Sequence, residues 1–332
     1  MYSFDDMIGN GPIIESIRNA IARKKTAHAY IIGGGEGAGK TMLAKTIAKT
    51  MQCENNSADG KADPCMCCVS CRTFDSGNHP DVVYVASAAR KSIGVDDVRE
   101  QIGERIMIKP YKYEYKIFII KDAHTMTPAA QNALLKTLEE PAGYGVFLLT
   151  SSNLAGLIPT VLSRSAVLKL RPVADELIRD HLIGAGFTRE EADVCSACVR
   201  GSVGTALKRR NDERFAAARE LVFETVLTHD RSVCGAFTAA ARCEPYKDMI
   251  TDILDMFYVL YRDILVYKVT GDMSRIIERG RADEIAAAAG GTSVRSLIKK
   301  LGAVTNTGAM LRYNVNFMMA VNMLARDIME VS

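Results

Sequence analysis

The sequence predicts a parallel α/β domain followed by an all-helical remainder, and three observations carry that reading. Short apolar runs alternate with helix-spaced segments between residues 29 and 170. Those runs are apolar at consecutive positions, as strands covered on both faces are. After Pro172 no such run recurs, while helical spacing continues to the C-terminal end.

The totals set the bounds. A chain of 332 residues exceeds one ordinary domain, so two or three are expected. With 48% hydrophobic and 24% charged residues the composition is that of a soluble globular protein. A net charge of +3 neither demands nor excludes a nucleic-acid partner. The acidic start Met1-Tyr2-Ser3-Phe4-Asp5-Asp6 has no signal-like apolar core, and no run approaches the roughly 18 apolar residues of a membrane span. A cytoplasmic protein with no membrane partner is expected.

Residues 4–28 read as a loop and a helix (Ile13, Ile14, Ile17, Ala20, Ile21) ending in Arg23-Lys24-Lys25. Basic residues suit a helix's last turn; a contact to phosphate or DNA is the other reading. The run Ala29-Tyr30-Ile31-Ile32 is the first strand. It leads into Gly34-Gly35-Glu36-Gly37-Ala38-Gly39-Lys40-Thr41 and then a helical pattern at Leu43, Ala44, Ile47, Ala48 and Met51. Strand, glycine loop and helix are the context that the G-x-x-x-x-G-K-[ST] phosphate loop requires. Gly34, Gly37 and Gly39 let the backbone close on a phosphate, and successive N–H groups with the positive helix end surround it. Lys40 would reach the β/γ-phosphates and the Thr41 hydroxyl would ligate Mg²⁺, so ATP or ADP with Mg²⁺ is the expected ligand.

Further strands are read at Val82–Val85, at Lys116–Lys121, at Val146–Thr150 and at Val167–Leu170, with helices at Val95–Ile106, at about Pro128–Leu138 and, short, before the fifth strand. Asp122, directly after the third strand, stands where a nucleotide hydrolase holds its Mg²⁺. The next residue is Ala123, whose methyl group does no proton chemistry, and loss of a positioned base typically costs ~10²–10⁴ in rate. His124 would face another way and is not appointed as the base. Binding is thus supported and rapid hydrolysis by this chain alone is not. Arg164, in Leu162-Ser163-Arg164-Ser165, reads either as a solvated surface charge or as a guanidinium acting on a neighbour's γ-phosphate, an effect of ~10³–10⁵ in rate.

Nine cysteines occur, five of them between residues 53 and 71. In a chain without a secretion signal, Cys53-x11-Cys65-x2-Cys68-x2-Cys71 points to metal rather than disulfides. Four thiolates with no open position describe a structural Zn²⁺ site; an iron–sulfur cluster fits the spacing less well. Cys67 is a rival ligand in the wrong register. Cys195 and Cys198 repeat the Cys-x2-Cys spacing on a helical stretch without a second pair and read as core. Beyond residue 173, short helices are expected to about 209 and longer ones at about 211–229, 246–269, 292–303 and 309–330. The apolar face of the 246–269 helix is wide enough to pack on several neighbours, in a bundle core or at a subunit interface.

These motifs together resemble the bacterial clamp loaders of the DNA polymerase III holoenzyme, within the AAA+ ATPases. The resemblance rests on Asn132-Ala133-Leu134-Leu135-Lys136-Thr137-Leu138-Glu139-Glu140-Pro141, on Ser163-Arg164-Ser165 (the family's Ser-Arg-Cys, with Ser165 for Cys), on the four-cysteine module followed by His79-Pro80-Asp81, on His28-Ala29-Tyr30 and on Asn314-Val315-Asn316. It covers nearly the whole chain, most strongly 28–170. It implies an AAA+ P-loop domain at 1–172 with a zinc module at 53–71, a helical lid at 173–210 and a C-terminal helical collar at 211–332. Ala123, together with Gly204 where the motor subunit carries a sensing arginine, favours a delta-prime-like stator over the gamma/tau-like motor. The implied partners are gamma/tau and delta subunits in a hetero-pentamer and, through that assembly, the sliding clamp and primer–template DNA. Arg164 would then complete the ATP site of an adjacent motor subunit.

Overall fold

The computed structural model describes residues 2–56, 62–86, 92–199, 201–209, 212–227, 233–312 and 315–329. It separates into two compact units, one of residues 1–174 with Gly201–Gly204, the other of residues 175–200 and 205–332.

The first unit runs α1 (Gly11–Ala22), β1 (Ala29–Gly33), α2 (Lys40–Gln52), α3 (Val69–Asp75), β2 (Val82–Val85), α4 (Val95–Val98), β3 (Lys116–Ile120), α5 (Pro128–Glu139), β4 (Gly145–Ser151), α6 (Pro159–Ser163) and β5 (Ala166–Lys169). All five strands pair in parallel in the order β2-β3-β4-β1-β5. Ile32 of β1 lies opposite Thr150 of β4 and Leu168 of β5, which aligns the C-terminal ends of the three strands. Because successive side chains alternate between faces, β1 sends Tyr30 and Ile32 to a layer with Ile17, Leu43, Ile47, Ile117 and Leu148, and Ile31 to a layer with Ile102, Phe118, Ile120, Leu134, Phe147 and Leu149.

Three elements depart from the expectations. α1 stops at Ala22 and Lys24 is left-handed (φ 52°), so Arg23, Lys24 and Lys25 lie beyond the helix rather than in its last turn. The helix at 95–106 is α-helical only to Val98 and continues as a π-helix over Arg99–Glu104. β5 is an edge strand with alternating exposure, Val167 facing out, so it is covered on one face and not on both.

The second unit is helical throughout its described residues: α7 (Asp175–Gly184), α8 (Arg189–Ala197), most of α9 (Val203–Lys208), α10 (Glu213–Leu227), α11 (Val233–Arg242), α12 (Ile250–Thr270), α13 (Ala282–Gly291), α14 (Val294–Arg312) and α15 (Phe317–Met329). The sequence pattern splits α14 wrongly and misses α11 and α13, the latter an alanine-rich stretch with little apolar contrast. α12 meets α10, α13 and α14 within the chain, which accounts for its broad apolar face. Cys195 and Cys198 are buried, and burial pushes the Cys195 thiol up to about 11, as inert core thiols behave. No helix among the described residues is long and apolar enough to cross a membrane. Asn314 lies outside the described residues.

Candidate functional site

The glycine loop sits at the C-terminal end of β1. Gly37 and Gly39 adopt positive φ (68° and 86°), and Gly39 caps the N-terminus of α2. Gly34 is required for a different reason: a Cβ there would stand 3.1 Å from Leu170 Cβ and 3.3 Å from its carbonyl oxygen. Lys40 and Thr41 open α2, so their backbone N–H groups belong to the unpaired first turn that attracts anions. Lys40 is folded back on the loop, its ammonium donating to Gly34 O at 2.8 Å and Gly35 O at 2.6 Å. Burial lowers its pKa, an effect opposed by the charges of Asp122 and Glu36. A phosphate would give this ammonium a full negative charge in place of two carbonyl dipoles.

Asp122 follows β3 in a left-handed conformation (φ 50°, ψ 49°). Its N–H donates to Thr150 Oγ1 at 3.0 Å, and its carbonyl accepts from Thr125 N and Oγ1 at 2.8 and 2.9 Å. These bonds fix the backbone of Asp122, whose half-exposed carboxylate lies 3.9 Å from Lys121 Nζ and acts on the charge of Lys40. Ala123 has no exposed surface and belongs to the core layer of Ile120, Met126 and Leu157. The position after the acid therefore points into packing rather than toward a bound water. His124 shares a hydrogen bond with Ser152 Oγ at 3.0 Å, and a Cβ on Gly156 would lie 3.2 Å from its own Cβ; it is held in a loop contact away from the general-base role.

One flank of the site lay outside the sequence reading. The segment Met7–Asn10 closes one side of the loop: Asn10 takes Arg171 N at 2.8 Å and gives its amide to Arg171 O at 3.1 Å, while Met7 Cε is 3.8 Å from where a Gly39 Cβ would be. Gly9-Asn10-Gly11-Pro12 was the available signal, since Gly9 and Asn10 both need positive φ. Gly204 also faces the loop, its virtual Cβ 3.7 Å from Gly37 O. It is held there by Gly201, whose carbonyl accepts from Val173 N and where any Cβ would collide with Pro172 at 2.5 Å.

Arg164 caps α6 at the surface. Its guanidinium pairs with Glu139 at 2.7 Å and makes long hydrogen bonds, both 3.4 Å, to Thr160 O and Ser163 Oγ. None of these partners belongs to the glycine loop, so the sequence-predicted residues divide into a loop cluster (Gly34, Gly37, Gly39, Lys40, Thr41, Asp122) and a separate surface arginine.

Cys53, Cys65, Cys68 and Cys71 converge, all four sulfurs within 4.8 Å of one another. A tetrahedral Zn²⁺ with Zn–S bonds of about 2.3 Å sets its sulfurs about 3.8 Å apart, so the group needs only modest contraction. Backbone N–H groups already point at the sulfurs: Cys65 N and Asn55 N to Cys53 Sγ (3.2 and 3.4 Å), Cys68 N to Cys65 Sγ (3.4 Å) and Cys71 N to Cys68 Sγ (3.4 Å). Such donors favour thiolates. The hydrogen bond from Cys71 holds Cys53 down to about 5, and the same bond raises Cys71. Cys67 is exposed and stands outside the four. The donor set fits a structural zinc ion. His79-Pro80-Asp81 supports the module: His79 bonds Ser70 Oγ at 3.1 Å, and the buried Asp81 carboxylate accepts the N–H groups of Tyr111, Lys112 and Tyr113 at 2.6, 3.1 and 3.2 Å.

Comparison with known proteins bears on this site. The family described as "DNA polymerase III, delta subunit" matches residues 9–174, half of the 332-residue chain. The chain is 28% identical over 305 residues to DNA polymerase III subunit tau of Bacillus subtilis, covering 85% of this chain and 53% of that protein. It is 28% identical over 310 residues to the delta' subunit of the same organism, covering 92% of this chain and 91% of that one. DNA polymerase III subunit gamma of Buchnera aphidicola is 33% identical over 175 residues, 53% of this chain and 47% of that protein. The chain thus spans about half the length of the tau and gamma relatives.

Proposed function

The chain belongs to the family described as DNA polymerase III, delta subunit, and from that premise we propose that it is a delta-prime-like subunit of the bacterial clamp loader. In this reading it is a stator within a hetero-pentamer with gamma/tau and delta subunits. The assembly uses ATP to place the sliding clamp on primer–template DNA, and this chain lends Arg164 to the ATP site of a neighbouring motor subunit. The observation that carries the choice of stator over motor is that Ala123 follows Asp122 and packs in the core, offering no base. Gly204 supports it, because the residue facing the loop carries no charge to sense a γ-phosphate.

The same reading assigns the loop residues Gly34, Gly37, Gly39, Lys40 and Thr41, with Asp122, to ATP or ADP with Mg²⁺, and Cys53, Cys65, Cys68 and Cys71 to a structural Zn²⁺. Zinc, when bound, supplies the cross-link that orders residues 53–71. Residues 1–172 would be the AAA+ domain, 173–210 the lid and 211–332 the collar that joins the ring, all in the cytoplasm. A gamma/tau-like motor is the second reading, favoured by the intact loop with Lys40 at its centre.

Reconstitution with motor and delta subunits tests the proposal. Arg164→Ala is expected to cut DNA-stimulated ATPase and clamp loading at least tenfold in the assembly, a guanidinium of this kind acting by ~10³–10⁵ at its own site. Unchanged rates would remove Arg164 from the mechanism. Brisk turnover by the purified chain, lost in Lys40→Ala, would favour the motor.

A further inference from the structure

Lys49 has no exposed surface, and the chemistry proposed above does not use it. It lies in the last turn of α2, the helix whose first residues are Lys40 and Thr41 and whose C-terminal cap is Cys53. The loop and the first of the four cysteines are therefore the two ends of one helix, about 20 Å apart at ~1.5 Å per residue.

The Lys49 ammonium donates to both oxygens of Asp75, at 2.9 and 2.8 Å, and to Met66 Sδ at 3.0 Å. Asp75 ends α3, the helix that Cys68 caps and that contains Cys71. Met66 is left-handed (φ 61°) in the turn that brings Cys65 and Cys68 together. One buried cation thus ties α2 to both halves of the cysteine module. A methionine of similar length would fill this space with less desolvation, while Asp75, which keeps solvent on its other side, could stay hydrated without the lysine. What the pair supplies over packing is a fixed geometry. It also places positive charge at a helix C-terminus that abuts a thiolate cluster of the same sign as the helix end.

We propose that Lys49 is a positioning residue that couples metal occupancy of the four-cysteine module to phosphate binding at the glycine loop. This rests on the nucleotide and zinc readings of those two sites. With the module ordered, Met66 and Asp75 hold Lys49, and Lys49 holds α2 with its first-turn N–H groups in register for a phosphate. With the module loosened, Lys49 loses fixed partners, and the last turn of α2 keeps its apolar contacts and the hydrogen bond from Gln52 to Tyr115 O.

The test is a thermodynamic cycle on the full reduced chain, with Mg²⁺-ADP and zinc as the probes. ADP affinity is measured with zinc bound and after chelation, for wild type and Lys49→Met, with Asp75→Asn as a second variant should the first not fold. In the wild type zinc is expected to tighten ADP about fivefold or more, and ADP to tighten zinc by the same factor. In Lys49→Met both ligands still bind, but the factor falls to within about twofold of unity, the coupling being what is lost. A merely structural lysine would lower the melting temperature or both affinities and leave the factor intact, and that result overturns the proposal. ADP binding by the wild type that ignores zinc overturns it too, while leaving the nucleotide reading standing. A wild type that binds no ADP with or without zinc overturns the nucleotide reading and the coupling with it.

Discussion

Lys40 and Ala123 show how single side chains set what the loop can do. The Lys40 ammonium is held mostly out of water by two carbonyls, and burial lowers its pKa below the ordinary lysine value. A group whose folded pKa is depressed contributes most stability above its unfolded pKa and loses it as the pH falls through the folded one. At neutral pH the charged lysine therefore works against the empty fold, and a phosphate would reverse that. Lys40→Met is expected to melt no lower than wild type without nucleotide, yet to lose the rise that Mg²⁺-ADP gives wild type; differential scanning fluorimetry reads both. Ala123 makes the complementary point. Its methyl lies wholly inside the core, so Ala123→Glu buries a carboxylate at a cost of several kcal/mol instead of presenting a base to water. The expected outcome is a lower melting temperature with no gain in phosphate release; a stable variant with accelerated turnover would show that the side chain reaches the site.

At the scale of elements, the four cysteines gather between α2 and β2. Four sulfurs converge, three of them facing N–H donors, and Asp81 satisfies three backbone N–H groups of segment 111–113. Metal binding requires thiolates, so protons compete with the ion. Zinc is expected to stay bound at neutral pH and to leave as acid protonates the thiolates. A chromophoric chelator would follow its release at one ion per chain. Release already complete at pH 7 would count against the four-cysteine site. Much of this was legible in the sequence, because Cys-x2-Cys spacing is a local property of a turn. What was not legible is Met66 in its left-handed turn, or Lys49 bridging to Asp75, since neither residue type at that spacing signals a contact.

For the molecule as a whole, the glycine loop and Asp122 lie together in the α/β unit, and Arg164 sits apart on α6 with Glu139. That distribution suits a protein whose contribution is made in an assembly. The isolated chain is expected to bind nucleotide while releasing phosphate far more slowly than the reconstituted complex, measured by titration and turnover on one preparation. Fast turnover by the lone chain would contradict the stator reading.

The sequence alone determined the strand–helix alternation, the loop chemistry, the cysteine set and the change to helices after Pro172, because each depends on neighbours within one turn or one strand. Only the tertiary structure decided that β5 is an edge, that Ala123 faces the core, that Gly204 looks onto the loop and that Arg164 rests on Glu139. Those outcomes depend on which distant segments share a face, and burial acts on spatial neighbours regardless of their separation along the chain.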